Sequence, residues 1–229
     1  MTTIQVTGIL AMLGAFLYAV GDVLLLANKV NIEDHPKLKP FVKLLDDAEK
    51  MIELSPDRLM WGALLGVFAT PLVISGYWQV YQGLVTGSPT LALVTMILFA
   101  IASVVGAFVH GTFYFLGEYV QALNKVDEAS QPVIAEMLTR HRKLLIISYA
   151  PVMILVVIAS ILFSYTVATQ NTLFPVWMVA VNPFIITIVW LVLKRFLPQF
   201  IRDWTEGAGF NIAFFVFFLL TTITLWKIS

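Results

Sequence analysis

The chain has 229 residues, of which 59% are hydrophobic and 12% charged, with 14 basic against 14 acidic residues and no cysteine. A water-soluble domain is nearer about 45–50% apolar and about 25% charged, so composition excludes an ordinary soluble globule. Disorder, which needs low hydrophobicity and high net charge, is excluded as well. The balanced charge carries no footprint for nucleic acid, and without cysteine there is no disulfide, thiolate metal site or cysteine nucleophile.

A helix crossing the hydrocarbon of a bilayer needs about 20 apolar residues. Six stretches qualify: 4–27, 59–81, 91–115, 144–169, 173–193 and 208–226. They are continuously apolar rather than alternating, which predicts helices and not the strands of a membrane barrel. The expected fold is therefore all-α and polytopic. One domain over 1–229 would hold six transmembrane helices in a bundle, plus an amphipathic cytoplasmic helix.

In chain order, the first span follows Met1-Thr2-Thr3, which has no positive charge, and its apolar run exceeds a signal core. It reads as a retained span. The loop after it places Phe41, Leu44, Leu45, Ala48, Met51 and Ile52 on one helical face and Lys43, Asp46, Asp47, Glu49 and Lys50 on the other. That pattern predicts a helix lying along the headgroups, a lid over a cytoplasmic opening, or a docking helix. Ser55-Pro56 reads as the cap and first residue of span 2, and Ser88-Pro89 as those of span 3. Prolines inside three spans, Pro71, Pro151 and Pro183, predict kinks and favour an internal cavity. Small residues at four-residue spacing (Gly62 and Gly66; Ala11, Ala15 and Ala19; Ala102 and Gly106) predict close helix packing within the chain or a homo-oligomer.

Orientation follows the basic residues. Thirteen of the 14 lie in the loops 28–58, 116–143 and 194–207, and Lys227 alone lies on the other side. The positive-inside rule puts those loops in the cytoplasm and both termini outside. Trp61, Trp177, Trp204 and Trp226, with Trp78 toward the outer face, fit an aromatic belt.

Ionisable groups within spans are costly, and each is a functional candidate. Asp22 lies roughly 27 Å along span 1 and His110 roughly 28 Å along span 3, both entering from outside. Glu118 lies just beyond, and His110, Tyr114 and Glu118 form a drifting i, i+4, i+8 stripe. Tyr18 sits one turn from Asp22. Trp61, Ser148, Tyr149 and Asn211 are expected in the same cytoplasmic half, with Asn182 nearer the middle. Asp22, His110 and Glu118 are the acid–base candidates, with Asp22 or Glu118 as base and His110 as acid. Tyr18, Trp61, Tyr114, Ser148, Tyr149, Asn182 and Asn211 are the candidate ligand contacts. Three readings stay open: a polar pair that serves packing only, a ligand or catalytic pocket, and an ion or proton path. His35, His110 and His141 lack metal-ligand spacing, and no phosphate-binding loop, dinucleotide fingerprint or nucleophile elbow occurs, so no metal and no cofactor is expected.

Several short motifs carry a resemblance. They are Gly21-Asp22-Val23-Leu24-Leu25, Arg58-Leu59-Met60-Trp61-Gly62, His110-Gly111-Thr112-Phe113-Tyr114 with Gly117-Glu118, Phe174-Pro175-Val176-Trp177 with Asn182-Pro183, and Gly207-Ala208-Gly209-Phe210-Asn211-Ile212-Ala213. Together they resemble a family of small six-span bacterial membrane proteins to which no activity is attached. The resemblance implies the six-helix fold and a bacterial cytoplasmic membrane, and it implies no reaction. The sequence favours a pocket for a membrane lipid or other hydrophobic small molecule. The alternatives are a small transporter or proton-coupled carrier and a non-catalytic subunit of a membrane complex.

Overall fold

The computed structural model describes residues 1–226; Lys227, the one basic residue expected on the outer side, lies outside them. The described residues form helices and no strand. The helices are α1 (Thr3–Leu26), α2 (Val42–Leu45), α3 (Pro56–Leu84), α4 (Pro89–Lys125), α5 (Gln131–Thr169), α6 (Pro183–Leu193), α7 (Gln199–Trp204) and α8 (Gly209–Trp226). Among the described residues, 5 helices are long and apolar enough to cross a membrane: α1, α3, α4, α5 and α8. The protein is a polytopic helical membrane protein.

The helix starts are chemically explicit. Thr2 and Gln5 form a capping box, each side chain bonding the other's backbone N–H at 3.3 and 3.1 Å. Ser55 caps α3 and Ser88 caps α4, each followed by proline at the first helical position as expected. At the other end of α1, Arg58 Nε donates to Leu24 O at 2.8 Å, satisfying a carbonyl that the helix leaves unpaired.

α1 packs along α3 and α8, α3 along α4, and α4 along α5. Ala11 and Ala15 are fully buried in the α1 seam. A Cβ at Gly21 would lie 2.7 Å from Gly62 O, so two glycines set the closest approach of α1 and α3. One core, built on Tyr77, Phe99, Phe163, Phe217 and Phe218, fills the bundle toward the end that carries the short connections. Tyr77 and Phe99 stack at 5.1 Å, and Phe163 meets Phe217 edge-on at 5.3 Å. Phe16, Phe68, Val104, Ile147 and Ile154 point outward from the bundle, as lipid-facing residues do.

α4 has 37 residues and α5 has 39, far beyond the roughly 20 a bilayer needs. Their extensions form a hairpin past the apolar stretches, and a second core, with Leu38, Met51, Leu59, Leu116, Leu123 and Leu138, packs there under the first loop.

Two expected elements are broken. The helix expected over the 41–52 stretch is instead α2, then Asp46 and Asp47 with positive φ, then a 3-10 turn at Ala48–Met51. The apolar face is real, but protein covers it: Leu45, Ala48 and Met51 are buried. Arg142 stops the helix by donating to the carbonyls of Leu44 and Leu45 and pairing with Asp46 at 2.5 Å. Gln121 holds the far end through Met51 O at 3.0 Å and Leu54 O at 2.9 Å.

The 173–193 stretch is likewise not one helix. A 3-10 turn at Val176–Ala180 leads to Asn182, whose side chain caps α6 by accepting from Ile185 N at 2.9 Å. Pro183 is thus the first residue of α6 rather than a kink inside a span. Pro71 and Pro151 do lie inside their helices.

Candidate functional site

A cavity of about 280 Å³ lies between α1, α3, α4, α5 and α8. Most of its wall is apolar or aromatic: Ala15, Val73, Tyr77, Ala102, Phe113, Val152, Val156, Phe210 and Phe214. Its polar groups gather at the end nearer the charged loops, where Asp22, His110 and Asn211 come from three helices. Tyr149, half-exposed on α5, also lines the cavity, and α5 meets α8 farther along where Phe163 packs edge-on to Phe217 at 5.3 Å.

Asp22 is one turn from the end of α1, and Asn211 is in the first turn of α8. Asn211 Nδ2 donates to Asp22 Oδ2 at 2.6 Å. The other carboxylate oxygen, Oδ1, lies 3.3 Å from His110 Nε2. The ring is fixed from its far side, where Nδ1 donates to Ala63 O on α3 at 2.9 Å. The imidazole fits because α3 carries glycine beside it: a Cβ at Gly66 would lie 2.5 Å from both Cγ and Nδ1 of the ring. Gly66 of the G-x-x-x-G pair is therefore a seat for His110, while Gly62 serves the α1 seam.

His110 is only 6% exposed, and its Nε2 makes no hydrogen bond although Asp22 is near. The two groups are close but not hydrogen-bonded, and Nε2 is covered from the α1 side, where a Cβ at Gly21 would lie 3.4 Å from it. Tyr18 stands edge-on to the imidazole at 5.2 Å, and its hydroxyl bonds Thr70 Oγ1 at 2.5 Å. Deeper in, Tyr77 and Ser103 bond each other at 2.8 Å. A Cβ at Gly106 would meet nothing within 4 Å, so Ala102 and Gly106 open the cavity instead of tightening a helix seam.

Below the polar end, three ion pairs tie the loops together. Lys29 reaches Asp203 at 2.6 Å, Lys50 reaches Glu206 at 2.7 Å, and Lys194 approaches Glu206 at 4.0 Å. Burial disfavours the charge on Lys50, but hydrogen bonds from its ammonium to Glu206 and Asp47 outweigh it and hold its pKa above the ordinary lysine value. Glu206 precedes Gly207, which lines the cavity, so this cluster anchors the turn at its mouth.

Of the residues singled out in the sequence, Asp22, His110, Tyr18, Tyr149 and Asn211 line one cavity. The others do not. Glu118 is exposed, because an i+4 step on a 3.6-residue helix drifts about 40°, so two steps turn it about 80° from His110. Tyr114 packs against the second core. Trp61 is exposed on the outer face of α3, and Ser148 is only partly buried on α5, one residue from Tyr149, and lies outside the lining. Asn182 is a helix cap that also donates to Ser164 Oγ at 2.9 Å, on a separate groove between α5 and α6. Sequence reading missed Thr70, Tyr77, Phe210 and Phe214. Only the four-residue spacing of Phe210, Phe214 and Phe218 hinted at a shared face. No cluster of metal-ligating residues occurs among the described residues.

Among curated proteins and solved structures, none matches the chain. A family model does, over residues 1–227 and hence over all the elements above. The chain belongs to the family of unknown function DUF6796.

Proposed function

We propose that the cavity binds a lipid-like or otherwise hydrophobic small molecule, with its polar head at Asp22, His110 and Asn211 and its apolar part among the aromatic residues. The observation that carries this reading is the cavity itself, about 280 Å³ with a largely apolar and aromatic wall and the Asp22 carboxylate, held by Asn211, at one end. Small-molecule sites combine an apolar wall with a few convergent polar groups in this way. The proximity of His110 Nε2 and Asp22 Oδ1, 3.3 Å apart, supports acid–base chemistry on a bound molecule as well, with His110 as acid and Asp22 as base.

The reading includes a membrane setting. The concentration of basic residues at one end of the bundle supports a cytoplasmic placement of that end, with both termini outside, in a bacterial cytoplasmic membrane. A sixth crossing would be made by the broken element 174–196, whose break is capped by Asn182 and buried against α5.

The test is extraction. Wild-type protein purified in detergent, stripped with organic solvent and analysed by mass spectrometry, should yield a hydrophobic small molecule. Gly106→Phe, whose ring would occupy the cavity, should yield none while keeping wild-type helicity. The same molecule from both proteins at equal occupancy refutes the reading.

A further inference from the structure

We infer that a second pocket, at the charged end of the bundle, holds the phosphate of an anionic phospholipid. It is separate from the central cavity and stands or falls without it.

After α6, a 3-10 turn at Lys194–Phe196 and then Pro198 break the helix, so basic residues on two different elements come to one pocket. The pocket is about 420 Å³, and its wall includes Lys194, Arg195, Arg202, Asp203, Glu206 and Leu191. Its two acids are already taken. Lys29 reaches Asp203 at 2.6 Å and Lys50 reaches Glu206 at 2.7 Å, and neither lysine lines the pocket. The hydrogen bond from Lys29 holds Asp203 below the ordinary carboxylate range, and Arg202 is the last contributor to that shift. Lys50 also pairs with Asp47. The cluster therefore sets five basic side chains (Lys29, Lys50, Lys194, Arg195 and Arg202) against three acidic ones (Asp47, Asp203 and Glu206), a surplus of two.

That surplus rests on Arg195 and Arg202, which form no ion pair among the described residues. The other three arginines are committed within the fold. Arg58 donates to Leu24 O at 2.8 Å, Arg140 pairs with Glu136 and Arg142 with Asp46, each at 2.5 Å. A guanidinium offers a planar fork of donors that matches two phosphate oxygens.

The surroundings choose a lipid over a soluble phosphate. Phe196, Phe200 and Trp204, beside the two arginines in the chain, are 81%, 66% and 64% exposed. In a membrane protein such aromatic residues sit at the headgroup level. Val189, Leu191, Val192 and Leu193 are exposed along α6 and give acyl chains an apolar surface leading away from the pocket. A soluble anion would make no use of either feature. A choline head would bring a cation toward Lys194 and Arg195, whereas a glycerol head adds no charge. Basic pockets at the cytoplasmic ends of membrane helices hold anionic head groups in this way.

The experiment is native mass spectrometry of the delipidated full chain in detergent, titrated with phosphatidylglycerol and phosphatidylcholine of identical acyl chains. Each basic residue near a headgroup phosphate is worth about fivefold in binding. Wild type should therefore prefer phosphatidylglycerol by about tenfold or more. Arg195→Gln with Arg202→Gln should bring the two lipids within about threefold, with phosphatidylcholine binding unchanged. Arg140→Gln with Lys143→Gln, on another loop at the same end, should keep the wild-type preference. Glycerol phosphate in large excess should not displace phosphatidylglycerol.

Equal binding of the two lipids by wild type overturns the inference. So does a preference that survives loss of both arginines, or one that falls equally in the Arg140 and Lys143 variant. Displacement by glycerol phosphate makes this a soluble-phosphate site and overturns the lipid assignment. If phosphatidylcholine binding falls in the double arginine variant, Arg195→Gln alone decides, since that residue is exposed: its preference should drop about fivefold, and an unchanged preference overturns the inference.

Discussion

Two glycine-to-alanine substitutions on neighbouring helices should change stability in opposite directions. At Gly66 a methyl group would lie 2.5 Å from Cγ and Nδ1 of His110, with ring atom Cδ2 at 2.8 Å. The ring cannot yield locally, because its Nδ1 is bonded to Ala63 O one turn along the same helix. Overpacking of this kind costs about 1–3 kcal/mol. Breaking the buried bond to Ala63 would strand its partners for about 1–3 kcal/mol more. Against this, alanine is favoured over glycine in a helix by about 1 kcal/mol. The net expectation for Gly66→Ala is a loss of about 1–5 kcal/mol. At Gly106 the same methyl meets nothing within 4 Å. Only the helix term remains, so Gly106→Ala should gain up to about 1 kcal/mol. Equilibrium unfolding in mixed micelles, followed by far-ultraviolet circular dichroism, measures both. A third protein isolates the cause. In a His110→Ala background the cost of Gly66→Ala should largely vanish, since the ring it strikes is gone. Equal effects at the two glycines, or an undiminished Gly66→Ala cost without the imidazole, would refute the seat assigned to Gly66.

Asp22→Asn and His110→Ala should be non-additive, with a coupling of about 0.5–3 kcal/mol in the same unfolding assay, because each leaves the other buried without its counterpart; additive losses would separate them. For orientation, Asn171→Cys should react with a membrane-impermeant maleimide on intact cells and Glu128→Cys only after permeabilisation; both residues are exposed, and the native chain contributes no thiol. Arg142→Leu should free the α2 carbonyls and raise amide exchange across 42–52, leaving α8 unchanged. The Ser130 backbone N–H, donating to Asp127 at 2.9 Å, holds that carboxyl below the usual range. A depressed folded pKa contributes stability above the unfolded value and loses it as pH falls through the folded one. Protection at Ser130 and Gln131 should therefore decline from about pH 4 downward, and Asp127→Asn should abolish that dependence.

The elements that sequence reading located well are those whose signals are local. Continuous apolar runs mark α1, α3, α4, α5 and α8, and Ser-Pro pairs mark two of their starts. Asp22 and His110 lie 3.3 Å apart, at the matched depth that parallel helices of known rise give them. Depth, however, is not direction. The i, i+4, i+8 stripe kept His110 and lost Glu118, since small angular drift accumulates over two turns.

The errors share one cause: a hydropathy run records side-chain transfer and says nothing about where backbone hydrogen bonds go. Over 173–193 the residues are apolar enough for a continuous helix, yet the chain reserves Leu173 N for Gly83 O at 2.9 Å and spends the Asn182 side chain on a new helix start. Over 41–52 the amphipathic face is present, but Arg142, on α5, takes the Leu44 and Leu45 carbonyls that would have continued the helix. The polar end of the cavity belongs to the same class of information. His110 is set by a carbonyl on α3 and by the absence of a side chain at Gly66, and neither is visible as a motif of its own. The half of the site that could be read was the pair of ionisable groups. The half that orients it is the Ala63 carbonyl, because that acceptor fixes the Nδ1 hydrogen and so turns Nε2 toward Asp22, 3.3 Å away.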